Sequence, residues 1–152
     1  MEQLIEYRAQ LLKRLEESAR EFCQACLDAP ARTVAAEAWS VHQLAAHTRD
    51  VEKFVYGARI RRSLMEANPL FMNFDGDAWM AEHYEPGEPL ASILNELAAS
   101  VTQTVASLRA APPEAWSRPS QHETYGANFT TQTWVERSLA HIEEHMKTVV
   151  SA

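Results

Sequence analysis

Apolar residues return along this chain at three- and four-residue intervals in four separate stretches. Leu4, Leu11, Leu15, Phe22 and Cys26 fall on one helical face, with Leu12 and Ala19 at its edge, which predicts a helix over 2–28. "DAP" (28–30) stops it. A second stripe of Leu44, His47, Val51, Phe54, Val55 and Ala58 predicts a helix over 40–67. Ser40 with Gln43 three residues on has the spacing of a capping box, and Trp39 and Leu44 sit where a hydrophobic staple would close that end. "ANP" (67–69) ends it. Leu90, Leu94, Leu97, Val101, Val105 and Leu108 mark a third helix over 89–110, with Pro89 suited to its first turn and "APP" (111–113) forbidding continuation. The fourth, over 130–150, is capped by Thr130 or Thr131 and turns Trp134, Ser138, His141, Ile142, His145 and Val149 inward.

Four amphipathic helices without a convincing strand pattern predict an all-α four-helix bundle, here as a single domain spanning 1–152. The connections 68–88 and 111–129 are long for a bundle, where about 2–8 residues is usual. Phe71, Phe74, Trp79, His83 and Tyr84 lie in one; Trp116, His122 and Tyr125 lie in the other. Such aromatic loops are expected to pack down over the bundle, and one of them lets it depart from simple up-down order.

Composition narrows the function classes. The chain is 46% hydrophobic and 23% charged, as in an ordinary soluble globular protein. Its formal net charge of −7 argues against a partner such as nucleic acid or an anionic membrane, which requires a basic face. The small basic run "ARIRR" (58–62) reads as a solvated helix face. No apolar run has membrane length and Met1 opens onto a charged amphipathic segment, so a cytoplasmic location with reduced thiols is expected. Cys23 and Cys26 spell C-x-x-C, but no strand precedes them and no second pair follows. Two buried or half-buried helix thiols are expected instead of a redox or zinc motif.

The informative polar residues are histidines. His47 lies in the middle of the apolar stripe of the second helix; His141 and His145, four apart, stack on that of the fourth. A buried imidazole is costly without partners, and three at one place can satisfy one another through a divalent cation that keeps an open coordination position. By spacing alone, a hydrogen-bonded core histidine remains the commoner outcome for each. Two sharper matches fail. "HIEEH" (141–145) fits the H-x-x-E-H signature of inverted-motif zinc proteases, but the seven residues after His145 leave no room for their downstream carboxylate ligand. "NFDGDAW" (73–79) puts its glycine and terminal acid out of register for a calcium loop.

Around the three histidines, Asp50 and Glu144 are candidates to orient an imidazole, against the alternative of solvated helix carboxylates. His42 is expected to be an exposed first-turn residue, His83 and His122 are candidates for a pocket mouth, and Ser138 reads as a small residue permitting close helix contact. No Ser-His-Asp constellation is present, and no catalytic side chain is assigned.

Taken in order, "WSVHQLAAHTRDVE" (39–52), "DAW" (77–79), "PEAW" (113–116), "HETYG" (122–126) and "FTTQTWVERSLAHIEEH" (129–145) resemble the DinB superfamily of four-helix metal-binding bundles over nearly the whole chain. The resemblance implies an up-down-down-up bundle with a long crossover between its second and third helices. It implies His47, His141 and His145 as ligands of a divalent metal ion, zinc or nickel foremost, and a homodimer. It also implies a transferase that joins a low-molecular-weight thiol (bacillithiol, mycothiol or glutathione) to an electrophilic small-molecule substrate. A metal-dependent hydrolase and a non-enzymatic metal- or ligand-binding bundle are the alternatives.

Overall fold

The computed structural model describes residues 1–29 and 39–151. Helix α1 spans Glu2–Asp28. Helix α2 is a continuous rod in three segments, Val41–Val51, Glu52–Tyr56 and Gly57–Met65, the middle one a π-turn. After strand β1 (Leu70–Phe71) come a short helix α3 (Gly76–His83) and helix α4 (Leu90–Ala110). A 3-10 turn (Pro113–Ser117), β2 (Pro119–His122) and β3 (Gly126–Thr130) lead into α5 (Thr131–Ser151).

The four long helices match the four apolar stripes. Ser40 Oγ accepts from the Gln43 backbone N–H at 3.1 Å and Gln43 Oε1 accepts from the Ser40 N–H at 2.8 Å, completing the capping box. At α5 the cap falls on Thr130, whose Oγ1 accepts from the Thr133 N–H at 3.2 Å. Helix α1 ends at Asp28; Pro30, the last residue of its expected stop, lies outside the described residues.

Side-chain pairs fix the directions. Along α1, Arg8 meets Gln132 and Arg14 meets Glu143, so α1 and α5 run parallel. His47 faces His141 while Glu52 faces Ser138, so α2 and α5 are antiparallel. Arg49 meets Glu96 and Arg61 meets Thr104, so α2 and α4 are parallel; Cys23 against Leu94 and Glu16 against Arg109 make α1 and α4 antiparallel. The order is therefore up-down-down-up. Two consecutive parallel long helices require the connection between them to travel back along the bundle, which is why 66–89 is long.

Strand pattern was absent from the sequence reading, yet the two long connections pair into a three-stranded sheet ordered β1-β2-β3. Leu70 and Phe71 lie parallel to Gln121 and His122, and β2 is antiparallel to β3 with an irregularity between Ser120 and His122. Strands of two to five residues are too short to show alternation, and Pro119 at the start of β2 masks the rest. The sheet closes over Trp134, which is 1% exposed, stacks on Phe129 at 4.7 Å and donates its indole N–H to Ser120 Oγ at 2.8 Å. Helix α3 was likewise unforeseen in the loop 68–88; Asp75 caps it by accepting from the Ala78 N–H.

The π-turn changes which residues of α2 face inward. A uniform 3.6-residue period puts Phe54 and Ala58 on the core stripe, but Phe54 is 49% exposed, while Glu52, Val55, Ile60 and Ser63 are buried. The extra residue of the turn rotates the distal half of the rod. Gly57 donates its N–H to the Glu52 carbonyl, and a Cβ at Gly57 would lie 2.5 Å from that oxygen and 3.3 Å from Thr104 Oγ1, so only glycine fits there. Leu15, Phe22, Ile93, Leu97, Val105, Leu108, Val135 and Ile142, all at most 1% exposed, lie at the centre of the core. No helix among the described residues is long and apolar enough to cross a membrane.

Candidate metal centre

His47 lies two turns into α2, and His141 and His145 are one turn apart on the antiparallel face of α5. The structure brings all three together, half-buried, with their Nε2 atoms converging. His141 Nε2 is 3.3 Å from His47 Nε2 and 2.9 Å from His145 Nε2. The rings meet edge to face, with interplanar angles of 61° to 89°. A neutral imidazole nitrogen offers one N–H or one lone pair, so His141 Nε2 cannot serve both neighbours well by hydrogen bonding. A shared cation resolves the conflict. Ligand nitrogens at about 2.0–2.1 Å from one zinc-like ion and separated as these are would subtend about 90° and about 107°, ordinary angles for such a site.

The electrostatics agree. Burial, then the proximity of His145, pushes His47 down to about 4. Burial, then His145 and His47, pushes His141 down to about 2, and burial lowers His145 against the opposing charge of Glu144. All three rings are thus held neutral at physiological pH, the form that ligates a metal. His141 Nδ1 is buried without a partner among the described residues and so lacks the outer hydrogen bond that metal-bound imidazoles usually make.

The wall is aromatic. Trp39 lies 4.6 Å from the His47 ring and Tyr56 lies 5.5 Å from His141. The crossover approaches from the third side: a Cβ at Gly76 would sit 3.1 Å from His47 Cε1, so the first turn of α3 rests directly on the imidazole.

The neighbouring residues differ from their sequence-based roles. Asp50 is neither solvated nor bonded to an imidazole; it is 6% exposed and accepts from Arg49 Nε at 2.8 Å and from Trp79 Nε1 at 3.1 Å. It ties α3 to α2 and thereby seats Gly76 over His47. Glu144 is exposed and solvated. His42 is half-buried, not exposed: its Nε2 donates to the Glu88 carbonyl at 2.7 Å and its Nδ1 accepts from Tyr84 at 2.6 Å, pinning the end of the crossover. His83 stacks on Trp79 at 3.8 Å, outside the triad. His122 is buried in β2.

Ser138 is more than a small residue. Its hydroxyl donates at 2.7 Å to Glu52 Oε2, inside the bundle one turn from His141. Glu52 is fully buried, its Oε1 has no partner among the described residues, and burial raises its carboxyl to about 7 against the opposing influence of Ser138 and Arg61. Sequence reasoning missed Glu52 and Tyr56, because neither falls on the stripe of Leu44, His47, Val51, Phe54, Val55 and Ala58 that it took for the inner face of α2. Cys23 and Cys26 are the inert helix thiols expected, raised by burial to about 11 and about 12.

The family model of the DinB superfamily matches residues 3–149. No curated protein matches the chain. Among solved structures, YfiT from Bacillus subtilis, described as a probable metal-dependent hydrolase with an unusual four-helix bundle topology, superposes with a TM-score of 0.85 at 20% identity, covering 95% of this chain and 85% of that one. At that identity the likeness establishes the shared fold.

Proposed function

Given that the chain belongs to the DinB superfamily, we propose that His47, His141 and His145 hold a divalent cation, zinc or nickel, and that the protein uses it to transfer a low-molecular-weight thiol onto an electrophilic small molecule. The observation that carries the reading is the convergence of three neutral Nε2 atoms with no hydrogen-bonding solution of their own. Bound there, such an ion would lower the pKa of a coordinated thiol and present it as a thiolate. Three neutral ligands leave the full double charge to attract that anion. Trp39 and Tyr56 limit water beside the rings, and Asp50 through Trp79 holds the crossover against His47.

The transferase reading needs no general base, and among the described residues no carboxylate is hydrogen-bonded to the three rings: Asp50 bonds to Arg49 and Trp79, and Glu52 to Ser138. Hydrolysis is the second reading, favoured by the description of YfiT. Metal content of natively purified protein comes first, with His47→Ala, His141→Ala and His145→Ala each expected to lose stoichiometric metal while keeping the helical spectrum. Metal-loaded protein is then incubated with bacillithiol, mycothiol, glutathione and cysteine against chlorodinitrobenzene, monochlorobimane and an epoxide, with His47→Ala as the blank. Rates above the blank support transfer. Ester or amide cleavage without thiol dependence replaces it with hydrolysis, and thiol binding without turnover leaves a binding protein. Metal retained by all three variants overturns the site.

A further inference from the structure

At the sheet end of the bundle lies a second polar cluster that the histidine triad does not use. Arg59, on the run expected to be a solvated face, is half-buried: its guanidinium carbon sits 4.8 Å over the Trp134 ring, with Phe71 at 5.8 Å and Tyr56 at 6.0 Å. Its one clear hydrogen bond goes to the Met72 carbonyl at 3.0 Å, and no carboxylate pairs with it among the described residues. Arg137 on α5 covers Phe129 at 5.1 Å and Trp134 at 5.9 Å, also without a carboxylate partner among the described residues. Two cations therefore share one aromatic floor.

His122 adds a directed donor. Its Nδ1 accepts the backbone N–H groups of Thr124 at 3.1 Å and Tyr125 at 3.3 Å, which places the proton of the neutral ring on Nε2. That Nε2–H then faces Arg59 Nη2 at 3.5 Å, donor against donor, on a side chain only 4% exposed. The nearby Glu123 carboxylate, whose charge favours protonation of His122, accepts from the Asn73 backbone N–H and makes no ion pair with either arginine among the described residues. Tyr125, 67% exposed, stacks on the His122 ring at 4.7 Å, and Arg137 is itself exposed, so the cluster reaches the surface. An acceptor-only group with several oxygens is what this arrangement lacks.

We propose that Arg59, His122 and Arg137 form a receptor for a small oxyanion, the carboxylate or phosphate group of an organic substrate. Its place relative to the histidines, which rests on the metal-dependent reading above, makes it the anchor for the far end of that substrate. Arg137 precedes His141 by one helical turn, about 6 Å along α5. Tyr56 bridges the two places, with the Arg59 guanidinium and the His141 ring both at its own ring. The substrate class is thus a small acid or phosphate ester whose reacting centre lies roughly one to two helical turns from its anionic group.

The test uses full-length, metal-free protein at constant ionic strength, titrated with acetate, succinate and methyl phosphate against chloride. The His122 Nε2–H and Arg59 Nε–H resonances are followed alongside calorimetry. Saturable binding of a carboxylate or of the phosphate ester, with both resonances shifting, is expected; which probe binds tighter names the anion. Arg59→Gln and the exposed Arg137→Gln should each weaken it by about tenfold, with the amide spectrum otherwise native. His47→Ala should leave it unchanged. No saturation with any probe, or binding indifferent to Arg137→Gln, overturns the receptor, as does binding that disappears with His47→Ala. Binding that survives where no metal-dependent turnover is found retains the receptor and removes only the catalytic reading.

Discussion

Replacing Glu52 with Gln should make the protein more stable at alkaline pH and change the pH dependence of folding. The carboxyl is fully buried, one oxygen accepts from Ser138 and the other has no partner among the described residues, so ionising it inside the bundle is unfavourable. Its raised value of about 7, against 4.5 in the unfolded chain, means that the folded state binds the proton more tightly. The stability it contributes is therefore fully present below pH about 4.5 and is lost as pH rises through about 7. At about 1.4 kcal/mol per pH unit of difference, the full cost approaches roughly 3 kcal/mol, of which about 2.5 kcal/mol develops between pH 5 and 8. Gln keeps the acceptor for Ser138 and cannot ionise. Urea unfolding of metal-free wild type and Glu52→Gln, measured at intervals from pH 5 to 8, gives the difference directly. The histidines titrate with the opposite sign: depressed values mean stability lost as pH falls below 6.5. That contribution is common to both proteins and cancels. The variant should gain on wild type by about 2–3 kcal/mol across the range. A difference independent of pH would refute a buried, titrating Glu52.

Three further outcomes follow from the geometry. Ser40→Ala removes one half of the capping box and should lower stability by about 1 kcal/mol in urea unfolding, without altering metal stoichiometry. Gly76→Ala places a methyl 3.1 Å from His47 Cε1, so competition with a chelating dye should show metal affinity reduced about tenfold while the melting temperature moves little. Because burial holds His47 and His141 neutral well below the usual histidine range, metal retention followed by dialysis at stepped pH should persist below pH 6.5.

The long helices were legible because their signals are repeated: each apolar stripe recurs over about four to six turns, and Ser40–Gln43 and the proline stops bracket them. The three histidines stood out because His47, His141 and His145 fall on the inward stripes of two helices, but spacing alone left each a hydrogen-bonded core residue, and their grouping as one ligand set came from the family resemblance. What escaped the sequence was set by single contacts. The sheet depends on pairing between segments about fifty residues apart, Phe71 with His122, each too short for a pattern. The roles of Asp50 and His42 depend on Trp79, Tyr84 and Glu88, residues of the crossover whose position no local rule specifies. Arg59 looked solvated because a basic run usually is, and only the π-turn upstream rotates it over Trp134.

The π-turn and the crossover are two parts of one solution. Up-down-down-up order sends 66–89 back along the bundle, so the same connection covers both ends, β1 at the sheet and α3 at the histidines. Helix α2 must then present side chains to two different neighbours: His47 to α5 beneath α3, and Arg59 to Trp134 beneath the sheet. Twelve residues of regular α-helix are 3.3 turns, which would put those side chains about 120° apart around the rod. The extra residue in Glu52–Tyr56 removes much of that offset and brings both onto the α5 side. It costs a loosened turn, and Gly57 supplies the space for it. The same turn carries Glu52 and Tyr56 between the two places, so a buried carboxyl bonded to Ser138 and a phenol ring lying against both Arg59 and His141 occupy the join.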